Sequence, residues 1–152
     1  MSSLVKYNDL PESFNLLSQN IVDCIFQVHQ NLGAGFLEKI YEDCLCHEMA
    51  ERGIAFTRQF PINVVYKGKK IASDYRLDLV VENKILLELK AVEKILPVHE
   101  AQIYSYLKMS GLQLGLLVNF NVPLIKDGIK RFVPKKLRSS VAPRETSMVE
   151  AI

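Results

Sequence analysis

The chain has 152 residues, 49% of them apolar and 24% charged, with a formal net charge of +2, the make-up of one ordinary globular domain able to bury a core of its own. Three cysteines, an odd number, without a secretory leader in the opening MSSLVKYNDL argue against a disulfide framework and for a reducing cytoplasm, and no apolar run reaches the ~18–20 residues of a spanning helix. The near-neutral charge argues neither for nor against a nucleic-acid partner.

After Pro11 and Ser13, apolar residues at Leu17, Ile21, Cys24 or Ile25, Val28 and Leu32 recur every three to four positions, which predicts an amphipathic helix. Gly33 and Gly35 break it. Residues 36–52 resume the spacing through Leu37, Ile40 or Tyr41, Cys44, Leu45 and Met49, and Gly53 is a natural stop. Cys44, Cys46 and His47 read as packed thiols beside an ordinary histidine, because residues two apart do not share a helical face and no second Cys/His pair stands at zinc-site spacing. His29 reads in the same way.

From Ile54 to Ala91 the period changes to two. Ile62, Val64 and Tyr66 alternate with more polar neighbours, the KGKK of residues 67–70 makes a turn, and two apolar runs follow on either side of Glu82, Asn83 and Lys84. Pro97 fits the first turn of a helix that runs through HEAQIYSYLKMSG and stops near Gly111. Leu114, Leu116, Val118 and Phe120 then alternate along a buried strand, and IKRFV, residues 129–133, makes a last short one. The order of helix, helix, three strands, helix and one or two strands predicts an α/β domain with a mixed central sheet flanked by helices. That domain spans residues 1–133, followed by a loose, basic tail at 134–152. Two basic clusters, Lys67, Lys69 and Lys70, and Lys126, Lys130, Arg131, Lys135, Lys136 and Arg138, suit either solvated edges or contacts to phosphate.

Asp78, Glu88 and Lys90 interrupt the two apolar runs, and such conflicts with the local pattern concentrate at functional sites. Alternation puts Glu88 and Lys90 on one face of their strand. With a three-residue loop at Glu82, Asn83 and Lys84, Val81 pairs with Ile85 and Asp78 falls opposite Glu88, ~4.5–5.5 Å away at Cβ. Carboxylates so close repel unless a cation joins them, and oxygen donors suit Mg²⁺ or Mn²⁺. Lys90 then polarises a water, stabilises developing negative charge, or forms a cross-strand ion pair with Glu88 or Asp78. Glu38 and Tyr41 share a face of the second helix, and Gln102 and Tyr106 a face of the third. His99 opens that third helix near the expected site.

GFLEKIY, with Gly35, Glu38 and Tyr41, matches a Gly-x-x-Glu-x-x-Tyr signature, and LD, ELK and QIYSY follow in order. In these motifs, over residues 20–133, the chain resembles the GxxExxY proteins, a family similar to the PD-(D/E)XK nuclease superfamily. The resemblance implies a restriction-endonuclease-like core and a metal-dependent nuclease using Mg²⁺ or Mn²⁺. Asp78 and Glu88 would be metal ligands with the Leu89 carbonyl as a third, Glu38 would complete the metal shell, and Lys90 would be the catalytic lysine. Gln102 and Tyr106 match a Gln-x-x-x-Tyr motif, and with Tyr41 they would contact substrate. Leu77 stands where the first motif often has proline. The expected partner is nucleic acid, most simply DNA, with a homodimer allowed and no membrane. A non-cleaving nucleic-acid-binding module that retains the site is the alternative.

Overall fold

The computed structural model describes residues 10–134, the side chains of residues 72 and 73 excepted. Lys135, Lys136, Arg138 and the rest of the expected tail lie outside the described residues, and Pro134 is buried. Two helices come first, α1 (Glu12–Leu32) and α2 (Glu38–Glu51), followed by strands β1 (Phe56–Tyr66), β2 (Lys69–Val81) and β3 (Ile85–Lys90). Helix α3 (Pro97–Ser110) leads into β4 (Leu114–Asn119) and, through a 3-10 turn at Ile125–Gly128, into β5 (Ile129–Phe132).

The five strands lie in chain order, β1-β2-β3-β4-β5. Only β3 and β4 run parallel, because only they are joined by a helix long enough to cross over; the other neighbours are antiparallel. The sheet is therefore mixed and flanked by helices, the restriction-endonuclease-like arrangement. Helix α3 begins at Pro97, whose missing N–H costs nothing in a first turn, and stops at Gly111 in the left-handed conformation (φ 78°). The β1–β2 turn is tighter than KGKK suggests. Lys67 and Gly68 alone make it, at φ 52° and 78°, while Lys69 and Lys70 already pair with Tyr66 and Val65.

Each face of the sheet has its own core. Leu79, Val81, Ile85, Leu87 and Leu89 pack under α1 and α2 with Ile21, Ile25, Tyr41, Leu45 and Met49. Leu86, Leu117 and Phe132 pack under α3 with Ile103 and Leu107. Leu77, two residues before Leu79, nevertheless belongs to the second core, as do Phe60 and Ile62, whereas Phe56 belongs to the first. Both strands of the β1–β2 pair thus exchange faces between Arg58–Leu79 and Phe60–Leu77, the paired positions on either side of Gln59 and Asp78. Gln59 absorbs the twist with a positive φ of 53°. Beyond this point β1 and β2 continue as a two-stranded ribbon, and Asp78 stands where the ribbon leaves the sheet.

Candidate active site

The hairpin forms as its sequence requires. Glu82 and Asn83 both take positive φ (53° and 56°), the Lys84 N–H donates to the Val81 carbonyl at 2.9 Å, and Val81 pairs with Ile85, Val80 with Leu86 and Leu79 with Leu87. Tight primed turns of this kind match strand twist and fix register. The next opposed residues, Asp78 and Glu88, have exchanged backbone pairing for side-chain bonds. The Leu89 N–H donates to Asp78 Oδ2 at 3.3 Å, and the Asp78 N–H points to Glu88 Oε2 at 3.5 Å. The strands part where the two carboxylates meet.

Glu88 is buried (6% exposed), so an exposed cross-strand salt bridge is not what this position makes. Burial first, and the Asp78 charge second, push the Glu88 carboxyl up to about 8. Burial also holds Asp78 above the ordinary carboxylate range, against the opposing bond from the Leu89 N–H. Lys90, which alternation places with Leu86 and Glu88 on the α3 face, acts on Glu38, Asp78 and Glu88 through its charge. Among the described residues no carboxylate oxygen comes within ion-pair distance of it. The end of β3 is held firmly: Phe120 N–H donates to the Lys90 carbonyl at 2.9 Å, and buried Asn119 accepts the Val92 N–H at 3.1 Å and donates to the Val92 carbonyl at 3.0 Å. Gly128 lets the chain pass close to the Asn119 carbonyl, where a Cβ would collide with it.

Glu38 is the first residue of α2, a position that favours an acidic side chain through the helix dipole. Shielding from water and then the Asp78 charge nevertheless raise its pKa, while Lys90 lowers it. The loop in front of it depends on glycine, since Gly33 and Gly35 have φ of 71° and 107°. Tyr41 pins that loop. Its hydroxyl donates to the Gly33 carbonyl at 2.6 Å and accepts the Phe36 N–H at 3.1 Å, and its ring stacks on Phe120 with centroids 4.4 Å apart. Tyr41 is fully buried, which corrects the expectation that it touches substrate: it presents no surface for that and instead fixes the loop that carries Glu38.

Gln102 and Tyr106 lie four apart on α3. They line one groove, and the Tyr106 pKa is raised by burial first, then by a hydrogen bond with Tyr75 and the charge of Glu88. The histidines have other work. His99 Nδ1 accepts the Leu96 N–H at 2.9 Å as a helix cap, His29 Nε2 bonds to the Val122 carbonyl at 2.9 Å, and His47 is an exposed partner of Glu51. Cys46 is packed, its thiol pushed up to about 11 by burial. In the late basic segment Lys130 pairs with Glu100 at 2.7 Å and Arg131 donates to Ser18 at 2.6 Å.

Sequence reasoning missed Asn119, Tyr75 and Glu42. Glu42 lies one turn after Glu38, is buried, and bonds to Arg58 at 2.9 Å. Arg58 also holds Asp43 at 2.5 Å, which ties α2 to β1, and the Glu42 charge reaches Asp78 and Glu38. The Glu38–Glu42 spacing was the available signal for it.

The mixed sheet with its flanking helices makes a restriction-endonuclease-like α/β domain. A family model described as the PD-(D/E)XK nuclease superfamily matches residues 15–132. The chain belongs to that superfamily, which implies nuclease chemistry and a nucleic-acid substrate. No curated protein and no solved structure matches the chain. No helix of the described residues is long and apolar enough to cross a membrane.

Proposed function

We propose that this chain is a divalent-metal-dependent nuclease that hydrolyses phosphodiester bonds in DNA, and that within the superfamily it is a GxxExxY protein. The observation that carries the reading is the burial of Glu88 against Asp78 with no ion-paired cation among the described residues. A fold under stability pressure alone gains little from such a pair, since apolar replacements of buried charges are often neutral or stabilising. The donor set fits a hard ion. Among the described residues no three His, Cys, Asp or Glu side chains group tightly enough to hold a metal by themselves, and Mg²⁺ typically takes one or two carboxylates, completing its shell with water and substrate phosphate. Asp78 and Glu88 would hold the ion, the Leu89 carbonyl would add a third oxygen, and Glu38, whose charge acts on both carboxylates from α2, would complete the shell through water.

When bound, the ion would neutralise charge on the scissile phosphate and ease deprotonation of the attacking water. Lys90, without an ion pair among the described residues, stabilises negative charge as it develops on the phosphate oxygens. Gln102 and Tyr106 hold the strand. The subfamily assignment is supported by the physical coherence of its motif: Gly35 permits the loop, Tyr41 pins it, and Glu38 is delivered at its end.

The test is purified protein on labelled single- and double-stranded DNA with Mg²⁺, Mn²⁺ or EDTA, beside Asp78→Asn. Cleavage that needs metal and Asp78 is the expected result. Metal-independent cleavage, or none on DNA, defeats the proposal; binding without cleavage leaves the non-cleaving module in its place.

A further inference from the structure

We propose that the groove between α3 and the β1–β2 ribbon is a base-binding site, taking one unstacked nucleobase of a single-stranded stretch beside the phosphate to be cleaved. This rests on the nuclease reading above. The groove has a volume of about 460 Å³ and is lined by Val64 and Tyr75 from the ribbon and Val98, Gln102, Tyr106 and Met109 from α3, with no charged side chain in its lining. Its size falls within the about 300–1,000 Å³ of small-ligand sites. Phosphate or a metal ion would find no counter-charge there, whereas a flat, neutral ring finds apolar walls, an aromatic edge and one amide.

The aromatic element is a pair. Tyr75 and Tyr106 meet edge to face, centroids 5.8 Å apart at 69°. Tyr75 remains 46% exposed, Val98 55% and Met109 41%, so the apolar lining is open to a ligand from solvent. Tyr106 ties this groove to the site by packing against the cluster that holds Leu77, which adjoins Asp78, and Leu86, which precedes Glu88 by two residues.

Charge supplies the complement. The ribbon that contributes Val64 runs on to exposed Lys67, Lys69 and Lys70, the last two paired with Tyr66 and Val65. A nucleic-acid strand following the ribbon would lay its phosphates on these lysines and turn a base inward onto Tyr75, the usual division between a cationic track and an aromatic platform. A paired and stacked base cannot enter such a groove without leaving its helix. The site therefore favours single strands and frayed ends over intact duplex, and it sets a fixed offset between the held base and the cut.

The experiment uses short labelled DNA single strands, each with one abasic site at a different position, bound to the full chain in EDTA. Affinity should fall about 5- to 150-fold when the abasic site occupies one position, the loss expected for one stacked base, and far less elsewhere. Tyr75→Ala should abolish that position dependence and Tyr75→Phe should keep it. Val98→Glu, at an exposed helix position, should abolish it by placing an anion in the groove, with its thermal melt checked against the parent's. An abasic penalty that is equal at every position, or that persists in Tyr75→Ala and Val98→Glu, overturns the proposal, as does duplex binding as tight as single-strand binding. Cleavage of the unmodified strands with Mg²⁺ is scored separately. Position-dependent binding without cleavage keeps the base site and removes the nuclease reading; cleavage without position dependence does the reverse.

Discussion

Replacing Glu88 with glutamine probes whether the fold itself holds two crowded carboxylates in wait for a cation. In the metal-free protein the Glu88 carboxyl lies at about 8 against an ordinary 4.5, because it is buried beside Asp78. Below pH 4.5 it is protonated whether the chain is folded or not. Between 4.5 and about 8 only the folded chain keeps the proton, so stability falls as pH rises, by at most about 1.4 kcal/mol per pH unit for one proton. Above about 8 both states are ionised and the loss is complete. The raised Asp78 adds to the effect in the same direction. For a domain of this size the melting temperature in EDTA should drop by on the order of 10 °C between pH 5 and 8. Glu88→Gln removes the larger titration, so its melting curve should flatten and cross above the parent's near pH 8. Excess Mg²⁺, binding the ionised pair, should stabilise the parent at pH 8 by about 2–3 kcal/mol at a hundredfold excess over Kd, and should barely move Glu88→Gln. Thermal melts of both proteins at several pH values, with EDTA or Mg²⁺, decide the matter. A parent as stable at pH 8 as at pH 5 without metal, or a Glu88→Gln protein with the parent's pH slope, refutes the reasoning.

Lys90→Met keeps the aliphatic stem and deletes the ammonium; folding and Mg²⁺ affinity should survive while cleavage falls ~10²- to 10³-fold, and no metal concentration should restore it. Tyr41→Phe leaves the Gly33 carbonyl and Phe36 N–H without their partner, which should cost about 1–3 kcal/mol in chemical denaturation and weaken Mg²⁺ binding measured by calorimetry, because Glu38 loses its fixed loop. Asn119→Leu strips both bonds from partly buried Val92 backbone groups and should cost about 1–3 kcal/mol on the same assay, with the loss of activity following from a loosened Lys90 strand.

Much of this molecule is written in local pattern. Spacing of three to four laid out α1 and α2, alternation laid out the strands, and the tight turn at Glu82 and Asn83 fixed the register that sets Asp78 opposite Glu88. With the turn's length set, alternation admits one register, so the carboxylate pair was legible before any fold was known. The partners of each face were not. A helical position says which side of its helix a residue occupies, not whether that side meets solvent or core, and so Tyr41 looked available to substrate although it is fully buried. Nor does alternation foresee its own interruption. The exchange of faces at Gln59 and Asp78 moves Leu77 into the core under α3 and turns Tyr75 toward Tyr106. Asn119 and Val92 are 27 residues apart, and Glu42 and Arg58 are 16; contacts at such separations exist only once β4 lies beside β3 and α2 packs on β1. Sequence spacing carries the chemistry of each element to its own surface, and the packing free energy of the whole chain decides which surfaces meet.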